Sequence, residues 1–423
     1  QMSLDRLGDV DYSLTGGRFF REKMLDGLQS SESDVAPAIL VQGTVIGESK
    51  SDDEVGSADV QLLRAGQIHV VGTNHRLWEM LDTGEILPPA EGEIVINQRV
   101  ADQVQAEVGD ELSVIVEIPA SIPRDSLLGD REETVSELVL KVSAIAEGET
   151  GLARFGLNPS QQIPLNVFVN LSELQTQIGL EEIVPTPRNP KSQPARVNSF
   201  FFREPPEMKQ ANNPVEVADL ITGIVAANVT LEDLALRIVQ NQKHGYLSLE
   251  SEQMILEKSI AAAGLKAANQ EGAAVSPVLV YLLNEIWNSN DPEKYSMYSI
   301  IAGIDPELPA QFGPFEFVDE HTRLSGNGVY INDWLATDLD VAKGDSIRVK
   351  YHVVGDRGEL PEDELSFNVA GVVKLIGAAD DTGFTPNVPG VTDAKTYGEW
   401  RQPFPLKEDR ITDRDDLYWD NID

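Results

Sequence analysis

The chain has no cysteine among its 423 residues. That absence removes thiolate catalysis, disulfides, zinc–thiolate clusters and iron–sulfur centres together. It leaves the compartment open, because a core of this size needs no disulfide. Histidine is nearly as scarce: His69, His75, His244, His321 and His352 are the whole complement. No two of them fall on adjacent turns of one helix, so a zinc site would need distant parts of the chain to converge. Nucleophile-elbow, Walker-type and dinucleotide glycine motifs are missing, which leaves elbow and phosphate-cradle chemistry without support. The acidic loop pattern of an EF-hand is missing too. No apolar run approaches the roughly 18 residues that cross a bilayer as a helix. The opening Gln1-Met2-Ser3-Leu4-Asp5 lacks the basic and apolar regions of a signal peptide. Any membrane spans of the parent protein are therefore expected outside this chain.

Positive charge is the next deficit. There are 33 basic residues against 70 acidic ones, a net charge of −37. A surface this negative repels phosphate backbones and anionic headgroups, so nucleic acid is excluded as a partner. It fits a solvated, soluble surface, and beyond that a divalent cation or a basic partner protein. Hydrophobic residues make up 41% and charged residues 24%, enough apolar material for a real core. At roughly 150 residues per domain the length predicts two or three folding units.

What the sequence does contain is an internal repetition. Residues 95–116, VINQRVADQVQAEVGDELSVIV, align without a gap on residues 330–351, YINDWLATDLDVAKGDSIRVKY. Identical pairs include Ile96/Ile331, Asn97/Asn332, Ala101/Ala336, Gly109/Gly344, Asp110/Asp345 and Val114/Val349. The pattern predicts a strand end, an Asn that caps a short helix, a Gly-Asp turn and a second strand. A further strand is expected after each, over Leu138–Val142 and Phe367–Gly371. Upstream, a helix over Phe19–Leu28 precedes the strand Pro37–Val41, and a helix over Glu252–Ala268 precedes Pro277–Tyr281. β-rich runs at Val70–Gly72 and Ile301–Gly303 follow in turn. The first half then continues with a strand at Asn166–Val169, a helix at Ser172–Ile178, a strand at Val197–Phe202 and a helix at Val215–Ala227. The second half ends instead in a Pro- and Asp-rich tail, Thr385–Asp423. The expected fold is α+β: two tandem related copies of small mixed β-sheets flanked by helices, over residues 1–235 and 236–423.

These patterns resemble a known family. Gly344-Asp-Ser-Ile-Arg-Val349 with Phe367-Asn-Val-Ala-Gly-Val372 is similar to the periplasmic core of MacB-type permeases. Gly109-Asp-Glu-Leu-Ser-Val114 and Val142-Ser-Ala-Ile145 are its counterparts in the first half, with Ala144 where the pattern has glycine. The opening Arg6–Tyr12 through Gly16–Phe20, and Asn332-Asp-Trp-Leu-Ala336, resemble large FtsX-like permeases. The resemblance implies a non-catalytic domain on the extracytoplasmic (periplasmic) side of the bacterial inner membrane. It implies a cytoplasmic ATP-binding subunit and a second permease subunit as partners, and an unknown periplasmic substrate or protein. A lipid, lipoprotein or peptide would be exported or released. Cofactors and metals are not implied. As an insert between two spans, Arg6–Tyr12 and the tail near Trp419 would lie on one side of the molecule.

Two other classes stay open. One is a freestanding secreted binding or adhesion protein. The other is a hydrolase built on the triplets Asp82-Thr83-Gly84 and Asp381-Thr382-Gly383, since an aspartic protease pairs two such carboxylates around one proton. Against it, Glu85 and Phe384 stand where a Ser or Thr should hold the carboxylate, and Asp-Thr-Gly is a common turn sequence. Asp380-Asp381 and Asp413-Arg-Asp-Asp416 read as solvated faces before they read as cation sites. Phe200–Phe202 and Trp287 read as core before they read as a partner groove.

Overall fold

In the computed structural model the described residues are 7–28, 35–48, 62–117, 135–148, 151–157, 162–186, 192–203, 214–251, 256–305, 312–353, 361–384, 407 and 410–411. The chain divides into two compact units, Gln1–Pro119 with Glu133–Ala235, and Leu236–Asp423 with Ala120–Glu132. The class is α+β.

The first unit contains β1 (Tyr12–Arg21), a 3-10 turn (Glu22–Leu28), β2 (Val35–Glu48), β3 (Leu62–Thr73), α1 (His75–Met80), β4 (Glu93–Asn97), α2 (Gln98–Val104), β5 (Glu111–Glu117) and β6 (Val135–Ala146). It continues with α3 (Gly151–Arg154), β7 (Asn166–Asn170), α4 (Leu171–Gln177), β8 (Arg196–Phe202) and α5 (Pro214–Asn228). The strands lie in the order β1-β8-β2-β3-β7-β4-β6-β5, and β2 pairs a second time with β5. That second pairing closes β2, β3, β7, β4, β6 and β5 into a six-stranded barrel, with β8 and β1 continuing from it as a flap. Closure removes the edges that an open sheet must protect. Long β2 makes it possible. Its first residues pair with β8, and Gly43–Ile46 cross to β5. Gly43 sits at the crossing, where a Cβ would stand 2.7 Å from Ile115 O and 2.9 Å from Val70 Cγ2.

Alternation sorts the side chains. Ile94 and Ile96 of β4 point into the barrel with Val45, Val70, Val114 and Leu140. Val95 points outward, into a second layer with Leu77, Trp78, Phe155, Phe168 and Phe201. Phe168 meets Trp78 and Phe155 edge-on at 5.8 and 5.7 Å, a favourable aromatic geometry. Both faces of β4 and β7 are thus covered, which is why Glu93–Asn97 and Asn166–Asn170 read as unbroken apolar runs between polar ends.

The second unit contains β9 (Leu236–Asn241), β10 (Tyr246–Ser251), α6 (Lys258–Gln270), β11 (Val278–Leu282), β12 (Glu285–Asn288), β13 (Asp291–Met297), β14 (Ile300–Ile304), β15 (Gly328–Asn332), α7 (Asp333–Leu339), β16 (Ser346–His352) and β17 (Glu362–Val373). β9 and β10 form a hairpin, β11 and β14 a second pair, and the rest a sheet ordered β13-β12-β16-β17-β15. Its core holds Ile286, Ile331, Leu339, Ile347, Val349 and Val369.

The two aligned segments have the same local construction. Asn97 accepts from Val100 N at 3.2 Å, and Asn332 from Leu335 N at 2.7 Å. Each helix ends on a left-handed residue, Gln105 (φ 54°) or Asp340 (φ 52°). Asp110 Oδ2 accepts from Glu107 N, and Asp345 Oδ2 from Ala342 N, both at 2.8 Å. Gly109 and Gly344, at φ 101° and 98°, donate to Val142 O and Val369 O, both at 2.8 Å. β4 runs parallel to β6 and β15 parallel to β17, with register slips at Ile94/Val95 and Val329/Tyr330. The Gly-Asp turn therefore has a physical task. The glycine takes a backbone conformation closed to other residues, and the aspartate ties the turn back on itself.

Other expectations are corrected. The sheets of the first unit are not small and separate but one eight-stranded sheet closed on itself. Phe19–Leu28 is helical only in its second part: Phe19–Arg21 belong to β1 and Glu22–Leu28 form a 3-10 helix. Pairing with β8 decides this, since Phe20 stacks on Phe200 at 5.2 Å. The second expected helix is present over Lys258–Gln270, and its expected start at residues 252–255 lies outside the described residues. Most of the tail from Thr385, including Asp413–Asp416 and Trp419, lies outside the described residues, and the same-side expectation with it. Among the described residues no helix is long and apolar enough to cross a membrane.

Candidate functional site

The two Asp-Thr-Gly triplets lie in different units and in different surroundings. Asp82 is exposed in the turn after α1, and its carbonyl accepts from Gly151 N at 3.0 Å. Asp381 lies in the second unit with its side chain almost buried. Its Oδ1 accepts from Asn241 Nδ2 at 2.9 Å, from Tyr246 Oη at 3.0 Å and from its own turn at Gly383 N, 2.9 Å. The triplet thus pins the β9–β10 hairpin. Gly383 is required there, because a Cβ would fall 1.8 Å from Tyr246 Oη. Burial, and then the bond to Asp381, push the Tyr246 hydroxyl up to about 12. Next to it, Lys243 Nζ pairs with Asp380 at 2.7 Å. His244 Nε2 is buried without a hydrogen-bond partner, 3.9 Å from Asp381 Oδ1. A carboxylate holding three internal donors acts as an anchor.

The other histidines are dispersed. His75 opens α1, His321 lies stacked on Phe317 at 3.6 Å, and the carbonyl of His352 accepts from Tyr281 Oη at 2.5 Å. His69, half-buried, has its pKa lowered by burial. Among the described residues no group of three or more His, Asp and Glu gathers where it could hold a metal ion.

Two clefts are lined by polar groups. In the first unit a cleft of about 840 Å³ opens where β2 bends, lined by Gln42, Thr44, Arg64, Gln67, His69 and Glu117. In the second, a cleft of about 530 Å³ is lined by Glu285, Trp287, Glu293, Tyr295, Lys350 and Arg410. Several of its charges are matched internally. Arg410 bonds Glu285 at 2.7 Å and lies 4.2 Å from the centre of the Tyr295 ring. Arg348 and Lys350 lie 5.4 and 5.6 Å from the centre of the Trp287 ring. Nearby, burial opposes the charge on Glu362, but bonds from Lys407 and Asn284 outweigh it and hold its pKa below the usual value.

Phe200, Phe201, Phe202 and Trp287 are all buried core residues. The first unit carries the same internal economy. Asp233, buried, accepts from Arg21 Nη2 at 2.7 Å, Arg21 Nε at 2.9 Å and Thr230 N at 2.9 Å. The sequence reading missed the partners of Asp233 and Asp381, because pairs this far apart leave no local signal. No protein-family model matches the chain, and no curated protein matches it.

Proposed function

We propose that the chain is a non-catalytic extracytoplasmic module of an ABC-transporter permease of the MacB/FtsX type, built from two related copies over residues 1–235 and 236–423. One observation carries this reading. The capped strand–helix–strand with its Gly-Asp turn, the stretch on which the family resemblance rests, recurs in both units with the same bonds. Such a module couples ATP-driven motion of membrane helices to export or release of a lipid, lipoprotein or peptide. A cytoplasmic ATP-binding subunit and a second permease subunit join it through the membrane part. The non-catalytic reading is supported by the spent carboxylates: Asp381, Asp233, Glu362 and Glu285 all hold internal donors.

The test uses the whole reading frame expressed in a bacterium. The expected product stays in the membrane pellet after alkaline extraction, and protease added outside the inner membrane cuts within this domain. Recovery of the product free in the periplasm or medium would sink the permease reading.

A further inference from the structure

In the first unit β7 completes the barrel. It lies between β3, to which it is parallel, and β4, to which it is antiparallel. In the second unit the strands on either side of that position are present. The ladder formed by β2 and β3 is matched there by two shorter ladders, β11 with β14 and β12 with β13. The break falls at the same point. The β2–β3 register slips between Gly43 and Val45, where Gln67 takes φ 55°, and the second unit divides where Tyr298 takes φ 50°. β12 pairs with β16 as β2 pairs with β5, and β15 with β17 as β4 with β6. Between β14 and β15, where β7 would stand, no strand is present among the described residues: β14 pairs with β11 alone and β15 with β17 alone.

The unpaired edge is built to accept a strand. Ser299 O accepts from Leu283 N, so residues 299, 301 and 303 direct their backbone groups toward β11. Ile300, Ala302 and Ile304 then direct theirs outward, by the alternation of a strand. Their counterpart in the first unit is His69, whose N–H donates 2.8 Å to Leu165 O, one residue ahead of β7. Ile301 and Val329 pack on the core beside the gap, as Val70 and Ile94 do in the barrel.

We propose that the second unit is a strand acceptor, taking an extended apolar segment of a partner protein between β14 and β15, parallel to the first and antiparallel to the second. The proposal rests on the two-copy reading above. β7 shows what the slot selects. Val167 and Val169 enter the barrel core and Phe168 the outer layer, so the segment has three consecutive apolar residues with polar ends. Basic flanks suit a chain whose net charge is −37. Main-chain bonds to the two edges supply affinity, and the side-chain slots supply selection.

The probe is a synthetic peptide of residues 164–171, Pro-Leu-Asn-Val-Phe-Val-Asn-Leu, with lysines added at both ends. Mixed with the intact chain, it binds saturably and slows amide exchange at 300–304 and 328–332 by about tenfold or more. Ala302→Pro abolishes both effects while circular dichroism stays native, since its lost N–H points away from β11. Ala302→Val keeps them. If Ala302→Pro does not fold, the peptide N-methylated at its central Phe replaces it and must not bind. Absence of binding overturns the proposal. So does strong protection of the outward amides of Ile300, Ala302 and Ile304 in the protein alone, or a dimer in light scattering that Ala302→Pro dissolves, since either means the gap is already filled by this chain. Were the domain found exported free of any membrane, these exchange results would be unaffected, so the two failures are told apart.

Discussion

Asn97 and Asn332 cap matching helices, yet replacing each with alanine has very different expected costs. Both lose one side-chain cap, worth about 1 kcal/mol. For Asn332 that is the main loss, because among the described residues its bond to Leu335 N is joined by no side-chain bond to a distant carbonyl. Asn97 is almost wholly buried, and its Nδ2 also donates to Ala153 O at 3.0 Å and Pro164 O at 2.7 Å. Those bonds hold α3 and the segment that follows it against the barrel. Removing the donor takes one hydrogen bond from each of two carbonyls, at about 1–3 kcal/mol each. Asn97→Ala is therefore expected to cost the first unit about 3–7 kcal/mol, and Asn332→Ala the second unit about 1 kcal/mol. Aspartate separates the roles further. Asn332→Asp keeps an acceptor at a helix N-terminus and should stay within about 0.5 kcal/mol of wild type. Asn97→Asp turns a carboxylate on two carbonyl oxygens and should be worse than alanine. Urea titration with hydrogen-exchange mass spectrometry reads each unit by its own peptides. Equal losses at the two sites, or a larger loss at Asn332, would refute the reasoning.

Asp233→Ala should destabilise the first unit by about 1–3 kcal/mol, the loss of charge-assisted bonds to the half-buried Arg21, seen as a lower urea midpoint. Burial pushes the Asp233 pKa up, but the bonds from Arg21 and Thr230 outweigh it and hold it below the usual value. Its stabilisation is thus complete above the ordinary aspartate range and lost as pH falls through the lowered pKa. Wild type should therefore show a steeper acid limb than the variant in urea midpoints taken from neutral to strongly acidic pH. Gly43→Ala forces a Cβ against Ile115 O at the barrel crossing and should cost about 1–3 kcal/mol, with faster exchange in β2 and β5. Near-ultraviolet titration should show one tyrosine ionising near pH 12; Asp381→Asn should move that step down, and no movement would mean the bond to Asp381 contributes nothing.

The elements legible in the sequence are those fixed by neighbours a few residues away. The Asn cap, the short helix and the Gly-Asp turn occupy one continuous segment, so residues 95–116 and 330–351 declare themselves. The unbroken apolar runs of β4 and β7 announce strands covered on both faces. Closure of the barrel is not legible, because it depends on Val45 meeting Val114 and Val70 meeting Val167, and no local pattern records a register between such distant strands. Phe19–Arg21 mislead for the same reason, since the partner that makes them strand is β8. The anchor at Asp381 was visible only as a turn sequence; its meaning depends on Tyr246, far upstream.

The placement of β1 has a consequence for assembly. Among the described residues its one sheet partner is β8, with Tyr12 opposite Phe202 and Arg21 opposite Arg196. On a ribosome that delivers the N-terminus first, β1 emerges early and waits until Phe202 has appeared, while β2 and β3 can pair almost at once. Non-local pairings of this kind are slow to form, and waiting edges are open to wrong partners. A strand made well before its partner is thus among the last of this unit to be secured. Because the antiparallel β1–β8 seam begins at Tyr12, traction there peels it one bond at a time instead of shearing all its bonds together. The flap is the place where the first unit finishes folding and where pulling would first undo it.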